Sequence, residues 1–358
     1  TNTPTNTPTN TPTSTVTPTI TPTNTPTNTP TNTPTSTVTP TITPTNTPTP
    51  STSAGPLVYT HANGVTVVAR AAAVVGQSYQ LDGTGASYLV VDNASLASKI
   101  SANDDITSVV TTKITTMNNM FNGNSSFNQD IGSWDVSNVT DMYGAFRNSP
   151  FNQNLNSWDT SNVINFRNTF NLNTAFNGNI SSWDTSSNLN MNGMFDGATS
   201  FNQNIGSWDT SNVTNVYLVF NNATAFNQNI GSWDMSSVTS NMSMFGTTGQ
   251  SSAVTLSTAN YNALLIGWAA QTLNSSRSFS AGDSKYSPGA AATARGVLTS
   301  TPNNWTITDG GQAAYAFADR TELVTGVNLW ISNQSSAIAT YGQINTWNVT
   351  AVTDMSSL

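Results

Sequence analysis

Apolar residues recur at regular intervals through the middle of the chain. A tryptophan occurs every 24 or 25 residues, a phenylalanine follows each one by twelve residues, and a valine follows most of them by five. The tryptophans are Trp134, Trp158, Trp183, Trp208 and Trp233, and the phenylalanines are Phe146, Phe170, Phe195, Phe220 and Phe245. One such unit cannot bury its own apolar face, so successive units must stack. The pattern predicts a repeat solenoid over residues 107–252, with these side chains in its core.

Two local patterns within each unit predict its backbone. The valine positions lie among β-branched residues, which is typical of a short strand. Met142, Ala145 and Phe146 have the spacing of one helical turn. We therefore expect each coil to contain a short parallel strand and a turn of α- or 3-10 helix. The third unit has Asn188 at the valine position and Leu189 beside it, which predicts a one-residue slip of the chain.

Residues 56–106 alternate between apolar and polar positions in short segments. LVYT and VTVVAR are separated by a turn that contains Asn63 and Gly64, and SYQL and SYLVV follow. These segments predict a small β head in front of the array. NASLASKI then predicts a short helix with Asn93 as its N-cap. His61 lies in the first turn, where we expect it to be exposed to solvent.

Residues 253–311 leave the repeat and predict a helical cap on the end of the array. A first helix is expected after Ser257. Its apolar side chains at helical spacing are Tyr261, Leu264, Leu265 and Trp268. A second helix is expected to begin at Ser287 and Pro288, because Pro is favoured at the first helical position. The segment WTIT predicts a strand.

Residues 312–358 predict the start of a second array. The apolar residues on one face of a predicted helix are Leu323, Val327, Trp330 and Ile331. The repeated phrase then begins again, with Trp347, Val352 and Met355 in register. The next phenylalanine of this register falls one residue after Leu358, so we expect the natural chain to continue.

Residues 1–55 have a different composition and predict a non-globular stalk. Thr occupies every odd position from Thr1 to Thr49, and 12 of the 16 prolines lie in this segment. Proline removes backbone donors and prevents a helix, so an extended rod of about 3.1 Å per residue is expected. Three interpretations are open: an O-glycosylated spacer, an unmodified linker, or a segment that assembles into fibres. The glycosylation candidates are Thr3, Thr5, Thr7, Thr25, Thr27 and Thr29. The chain begins inside this repeat without Met, so we expect residues before it.

The composition narrows the classes of function. Charged residues make up only 7% of the chain, with one Glu, one His and no Cys, and the net charge is −8. Disulfides and thiolate metal sites are therefore excluded, and nothing in the charge favours nucleic acid or an anionic membrane as a partner. We expect no transmembrane segment, because no stretch of the chain is long and apolar enough.

Two polar columns accompany the aromatic ones. An aspartate follows each tryptophan: Asp135, Asp159, Asp184, Asp209 and Asp234. Each either caps its own turn by accepting backbone N–H bonds or helps to bind Ca²⁺, and both alternatives are open. An asparagine follows a phenylalanine in each unit: Asn128, Asn152, Asn177, Asn202 and Asn227. We expect this second column to satisfy backbone groups and to bond to its stacked copies.

No set of residues with the geometry of a catalytic site is expected. A Ser–His–Asp arrangement would depend on His61, which lies in a separate module from the array. Asp104 and Asp105 are adjacent on a predicted loop, which is typical of solvated carboxylates. The sequence therefore predicts no catalytic residue, no bound cofactor and, apart from the Ca²⁺ alternative, no metal.

The repeated phrases, such as FNQNIGSWDTSNVTNV, resemble those of BspA-like leucine-rich-repeat surface proteins in the variant with 25-residue units. The resemblance covers residues 107–250 and 344–358, and the segments around YNALLIGWAAQ and HANGVTVVARAAAVVG are similar to the cap and the head that accompany such arrays. It implies a secreted or cell-surface protein that acts in adhesion or self-association, and it implies no enzyme activity. The ligands of the family are diverse, so no binding residue follows from it.

We therefore expect a non-enzymatic extracellular protein at a cell surface. Its array would be presented on the stalk for adhesion, and its partner would be an unknown protein or glycan on another surface. The alternative is a structural subunit of an extracellular fibre, assembled through the Thr/Pro repeat or through the ends of the array.

Overall fold

The structure is a computed structural model that describes residues 55–246 and 254–355. These residues belong to one compact unit, Ser53–Leu358. The Thr/Pro segment, and with it every glycosylation candidate, lies outside the described residues.

The N-terminal head consists of two hairpins and a crossover. Strands β1 (Val58–Thr60) and β2 (Val67–Ala69) pair antiparallel, as do β3 (Ser78–Gln80) and β4 (Ser87–Val90). Gly64 has a φ of +74° in the first hairpin, a conformation that glycine adopts without steric cost. Strand β5 (Val109–Val110) pairs parallel to β4, so the last strand of the head passes directly into the array.

Helix α1 (Asn93–Ser101) connects β4 to β5 and begins one residue earlier than expected. Its N-cap is Asp92 rather than Asn93, because Ser95 completes a capping box with Asp92. The Asp92 carboxylate accepts from Ser95 N at 2.9 Å. Asn93 instead accepts from the backbone N–H of Thr115 at 3.0 Å and so attaches the helix to the first coil.

The backbone of the array differs from the expected strand and helical turn. From Thr111 to Gly246 the structure contains no helix and no strand of two or more residues. Neighbouring coils are joined by single parallel bridges that fall two residues after the valine position. The bridges are Thr116 to Asp141, Asp141 to Asn165, Asn165 to Asn190 and Asn190 to Asn215.

The segment predicted as a helical turn is a series of tight turns. Ala145 N donates to Met142 O at 3.1 Å within the coil. Every second N–H instead donates to the next coil, as Gly144 N does to Arg167 O at 3.0 Å and Phe146 N to Thr169 O at 2.8 Å. A helix would use all of these N–H groups internally, so stacking replaces helical hydrogen bonds with bonds between coils.

Aromatic side chains form parallel columns in the core of the array. The rings of Trp158, Trp183, Trp208 and Trp233 stack at centroid distances of 6.2–6.4 Å, within 5° of parallel. The phenylalanine column stacks in the same way, from Phe121 through Phe146, Phe170, Phe195 and Phe220 to Phe245. All the tryptophans and phenylalanines assigned to the repeat core are at most 4% exposed. This offset stacking is favourable beyond the burial of area alone.

The predicted slip in the third unit is absent. Asn188 takes the valine position and is completely buried, whereas Leu189 is 47% exposed. Asn188 Oδ1 accepts from Asn190 N at 3.0 Å, but its Nδ2 atom is buried and has no hydrogen-bond partner. The coil therefore keeps its register, and the buried Asn188 amide that remains unsatisfied lowers its stability.

Two helices and a strand pair follow the array. Helix α2 (Thr258–Ala269) begins as expected after Ser257, whose side chain accepts from Asn260 N. Strand β6 (Ser278–Ser280) pairs parallel with β7 (Thr306–Thr308), and the crossover between them contains α3 (Ala290–Thr299). Strand β6 pairs with the last coil of the array, because Met242 forms a parallel bridge with Phe279.

The start of α3 differs from the prediction. Its N-cap is Gly289, with a φ of +84°, rather than Ser287. Ser287 is held by Asn262 of α2: the Asn262 side-chain amide donates to the Ser287 hydroxyl, and its oxygen accepts from the Ser287 N–H, both at 2.9 Å. This tie to the preceding helix delays the start of α3.

The C-terminal segment contains α4 (Arg320–Ser332), α5 (Gln334–Tyr341) and a 3-10 turn, Ile344–Thr346. Asn348 forms a parallel bridge with Ala316, and helices lie between the two in the chain. The order of elements is therefore the same as that from β4 through α1 to β5. The predicted apolar face of α4 is incomplete, since Ile331 is 77% exposed. A cluster around Phe317 buries Val352, whereas Met355 is half-exposed.

Candidate functional site

The aspartate column stabilises the turns of the array. In each coil the Asp Oδ1 atom accepts the backbone N–H of the serine two residues later, at 2.8–3.1 Å: Ser137, Ser161, Ser186, Ser211 and Ser236. The hydroxyl and N–H of Ser211 hold the pKa of the Asp209 carboxyl below its usual range. Within residues 55–246 and 254–355 no group of three or more Asp, Glu, His or Cys side chains is arranged to hold a metal ion.

The asparagine column forms a ladder of side-chain to backbone bonds. Each Asn Oδ1 accepts the backbone N–H of the asparagine in the next coil, from Asn128 to Asn227, at 2.8–2.9 Å. Gln153, Gln203 and Gln228 reinforce the ladder by donating to the same oxygens. This column therefore links the coils, and its side-chain oxygens are already engaged.

The head packs on the first coils through the β1–β2 hairpin. Val67 N donates to Ser133 O at 2.8 Å, and the Thr66 hydroxyl lies 3.5 Å from Ser157 O. The tip of the hairpin thus stands over the loops that precede the first two tryptophans. A groove of about 910 Å³ lies between them.

The groove is lined by the head on one side and by three coils on the other. Asn63 and Val65 come from the hairpin tip and Tyr88 from β4, while the coils supply mainly Asp, Asn and Ser. Apart from serines, the polar side chains that the coils contribute are Asp130, Asn154, Asn156 and Asp159. A second, smaller groove shares Asp159 with the first and is also lined by His61 and Asp135.

The four polar coil side chains are held in fixed orientations. In each one, a side-chain oxygen accepts a hydrogen bond from a backbone N–H at 2.9–3.1 Å. Asp130 accepts from Gly132 N, Asn154 from Asn156 N, Asn156 from Ser182 N and Asp159 from Ser161 N. Because only oxygen accepts from an N–H, these bonds also assign the amide orientations of the two asparagines. The second terminal atom of each side chain makes no hydrogen bond with the described residues.

Two of these residues depart from the repeat. The position of Asp130 is asparagine in the other units: Asn154, Asn179, Asn204 and Asn229. The position of Asn156 is glycine or serine in the other units: Gly132, Ser181, Gly206 and Gly231. Both departures line the groove. Sequence reasoning missed this site, although the two substitutions were a signal that the first coils differ from the rest.

The groove has a negative electrostatic character. Its carboxylates are Asp130 and Asp159, and none of the described residues that line it is Lys, Arg or His. This charge is part of a chain whose formal net charge is −8. Anionic ligands are therefore disfavoured at this place.

A separate exposed patch lies along the array. Ile164 and Leu189 are 48% and 47% exposed and adjacent, since Leu189 N donates to Ile164 O at 3.0 Å. Thr140 and Thr214 occupy the same column in the neighbouring coils. Apolar side chains thus replace threonine at two consecutive positions of this surface.

The residues considered for catalysis lie at the surface, and His61 lines the smaller groove together with Ser157 and Asp159. His61 is exposed in its turn. Asp104 forms an ion pair with Lys99 at 3.1 Å, and Asp105 accepts from the N–H of Thr107. In the described part of the chain no helix is long and apolar enough to cross a membrane.

Part of the chain is similar to a known family. Residues 91–171 and 145–258 match a family described as "Mycoplasma protein of unknown function, DUF285". The two matches include α1, β5 and the repeat array, and they end where α2 begins. No curated protein and no solved structure matches the chain.

Proposed function

We propose that this chain is a non-enzymatic extracellular protein of the cell surface, whose array binds a protein or glycan on another surface. The array itself we interpret as a leucine-rich-repeat-like solenoid of the BspA-like type. The similarity of residues 91–258 to the DUF285 family is compatible with a surface repeat protein. The observation that carries the proposal is the groove, where four side chains are held by the backbone and present free polar atoms.

Two acidic side chains outside the groove have structural partners. Asp309 is 3% exposed and accepts from Arg295 Nε at 2.8 Å and from the Tyr261 hydroxyl at 2.7 Å. Glu322 accepts from the Tyr315 hydroxyl at 2.5 Å and from Ala318 N at 2.8 Å. These carboxylates stabilise the cap and the segment after it, and each is already engaged as an acceptor.

The Thr/Pro segment fits the same proposal as a spacer. A chain of this composition extends by about 3.1 Å per residue, so about 50 residues would reach roughly 150 Å from an attachment point. O-linked sugars on its threonines would stiffen it further. Intact mass of the natively expressed protein measures the sugar directly, and a mass equal to that of the unmodified sequence would exclude it.

Adhesion can be tested with the purified full chain. We expect concentration-dependent binding to surfaces coated with extracellular glycoproteins, measured by biolayer interferometry against albumin-coated surfaces as the control. Binding to none of a broad set of glycoproteins and unglycosylated matrix proteins would contradict the proposal. Sedimentation velocity and negative-stain microscopy of the same sample test the fibre alternative, which requires filaments rather than single particles.

A further inference from the structure

We infer that the groove between the β1–β2 hairpin and the first three coils is a binding site for a neutral oligosaccharide. This inference rests on the proposed function and identifies the class of ligand and the place where it binds. It starts from four side chains in which one terminal atom is bonded to a backbone N–H and the other terminal atom has no partner among the described residues. These side chains are Asp130, Asn154, Asn156 and Asp159.

The free atoms form a mixed set of donors and acceptors. The Oδ2 atoms of Asp130 and Asp159 are acceptors, and the Nδ2 atoms of Asn154 and Asn156 are donors. A sugar hydroxyl donates one hydrogen bond and accepts others, so adjacent hydroxyls on a pyranose ring require both kinds of partner. An apolar peptide side chain would leave all of these groups unsatisfied, and an anionic one would leave the two carboxylates without a donor, which costs free energy.

The charges of the groove favour an uncharged ligand. Its lining contains carboxylates, and none of the described lining residues is a cation. Sialylated, sulfated and phosphorylated glycans would bring a negative charge toward Asp130 and Asp159 without a partner for it. A neutral sugar avoids this repulsion and still uses both carboxylates as acceptors, since bonds to a charged acceptor are stronger than neutral ones.

The shape of the groove also fits a sugar chain. Its volume of about 910 Å³ is near the upper end of the range for ligand sites. Val65, which is 48% exposed, and the partly exposed Tyr88 supply an apolar wall on the side of the head. The C–H faces of a sugar ring can pack on this wall while its hydroxyls face the coils.

The side chains lose little freedom on binding. Each of the four is already fixed by its bond to a backbone N–H, so the ordering cost that weakens most polar contacts is reduced. Asp130 and Asn156 also depart from the repeat at this place. Replacing them with the residues of other coils, Asp130→Asn and Asn156→Gly, therefore changes the groove while using side chains that the same positions accept elsewhere.

The experiment uses the full chain and an array of immobilised oligosaccharides, with neutral hexose and N-acetylhexosamine chains next to sialylated and sulfated ones. We expect binding to a subset of the neutral chains. The double variant Asp130→Asn/Asn156→Gly and the single variant Asn154→Ala should each bind at least about tenfold more weakly. Asn204→Ala is the matched control, because Asn204 makes the same bond to its own loop, with Gly206 N at 3.1 Å, away from the groove.

Three outcomes of the oligosaccharide experiment would overturn the inference. They are the absence of binding to any neutral oligosaccharide, unchanged binding by the double variant, and an equal loss of binding in Asn204→Ala. Circular dichroism and thermal unfolding show whether each variant is folded. Adhesion to coated surfaces that persists in the double variant and after enzymatic removal of the glycans would reject the sugar site, yet it would leave the proposed surface-binding function intact.

Discussion

A coil of the array and helix α2 of the cap both form hydrogen bonds with the coil before them, but they use different groups to do so. In the array, each Trp Nε1 donates to a backbone oxygen of the preceding coil, as Trp208 does to Ile180 O at 3.2 Å. In the cap, Trp268 of α2 makes the equivalent bond to Ile230 O at 3.3 Å. The tryptophan of a helix thus takes the place that a further coil would occupy.

The same replacement occurs in the asparagine ladder. Asn227 Oδ1 accepts from Ser257 N at 2.8 Å and from Asn260 Nδ2 at 2.9 Å, where another coil would have provided Asn and Gln. Gln271 then accepts from Met235 N at 2.8 Å and donates to Trp233 O at 2.8 Å. Polar side chains of the cap therefore substitute for the backbone and side chains of a coil.

This difference between a coil and a helix explains how the open edge of the last coil is closed. A coil leaves its own N–H and C=O groups for the next coil, whereas a helix satisfies its backbone internally. Helix α2 therefore forms hydrogen bonds with the last coil, but its own backbone N–H and C=O groups do not provide partners for a further coil. Another part of the edge of the last coil pairs with β6 through the bridge between Met242 and Phe279, so the helix closes only part of that edge.

The largest loss of stability is expected when a tryptophan of an internal coil is replaced. Trp208 stacks on Trp183 and Trp233, so Trp208→Ala removes contacts to both neighbours and should cost about 3–5 kcal/mol in the free energy of unfolding. Urea unfolding of the full chain measures this loss. Hydrogen exchange should show lower protection in both flanking coils, because stability in a stacked array depends on nearest neighbours.

The cap variant Trp268→Ala is the comparison. Trp268 contacts Phe279 and Trp305 edge-on, at centroid distances of 5.2 and 6.4 Å, and stacks on no further tryptophan of the array. Its replacement should lower exchange protection in the cap and the last coil, while the coil around Trp158 keeps its protection. Identical exchange profiles for the two variants would contradict the distinction between coil and cap.

The second prediction concerns the buried amide of the third coil. Val163 and Val213 occupy the position of Asn188 in the neighbouring coils, and all three are completely buried. Asn188→Val removes the unsatisfied Nδ2 atom and should stabilise the protein by about 1–3 kcal/mol, as measured by urea unfolding. The exposed neighbour provides the control, since Leu189→Thr should leave stability almost unchanged. A destabilised Asn188→Val variant would show that the bond to Asn190 N outweighs the buried amide.

Sequence periodicity predicted the aromatic columns because one buried position per 25 residues leaves a strong signal. It did not predict the bridges, since whether an N–H bonds within a coil or to the next one depends on stacking rather than on local propensity. The N-cap at Gly289 was missed for a related reason, because Asn262 of the preceding helix holds Ser287. The N-cap at Asp92 depends on the local capping box with Ser95, which is a signal within the sequence itself.

The groove could not be predicted, because its position depends on where the head contacts the array. That contact joins Val67 to Ser133, residues far apart in the sequence. The fixed orientation of the four side chains also depends on stacking in part, since Ser182 and Asn156 belong to different coils. A sequence pattern records which residues line a column, but it does not record which of them the head encloses.

The third prediction compares the ladder inside the array with its last step. Asn177→Ala removes the acceptor for Asn202 N, and Asn227→Ala removes the acceptor for Ser257 N. Each bond is exposed, so each variant should lose about 0.5–1.5 kcal/mol. The two should differ in exchange: Asn227→Ala should increase exchange at the start of α2, and Asn177→Ala should not. Equal exchange of α2 in both variants would mean that Asn227 does not anchor the cap.

The smallest effect is expected on the exposed face of the array. The Thr214 hydroxyl donates to Leu189 O at 3.1 Å, and its backbone N–H donates to the same oxygen at 3.0 Å. Ile164 and Leu189 occupy this column without a hydroxyl, so the side-chain bond is dispensable for stacking. Thr214→Ala should therefore change the free energy of unfolding by less than about 0.5 kcal/mol in urea. A loss comparable to that of Trp208→Ala would show that the outer column, and not the aromatic core, holds the coils together.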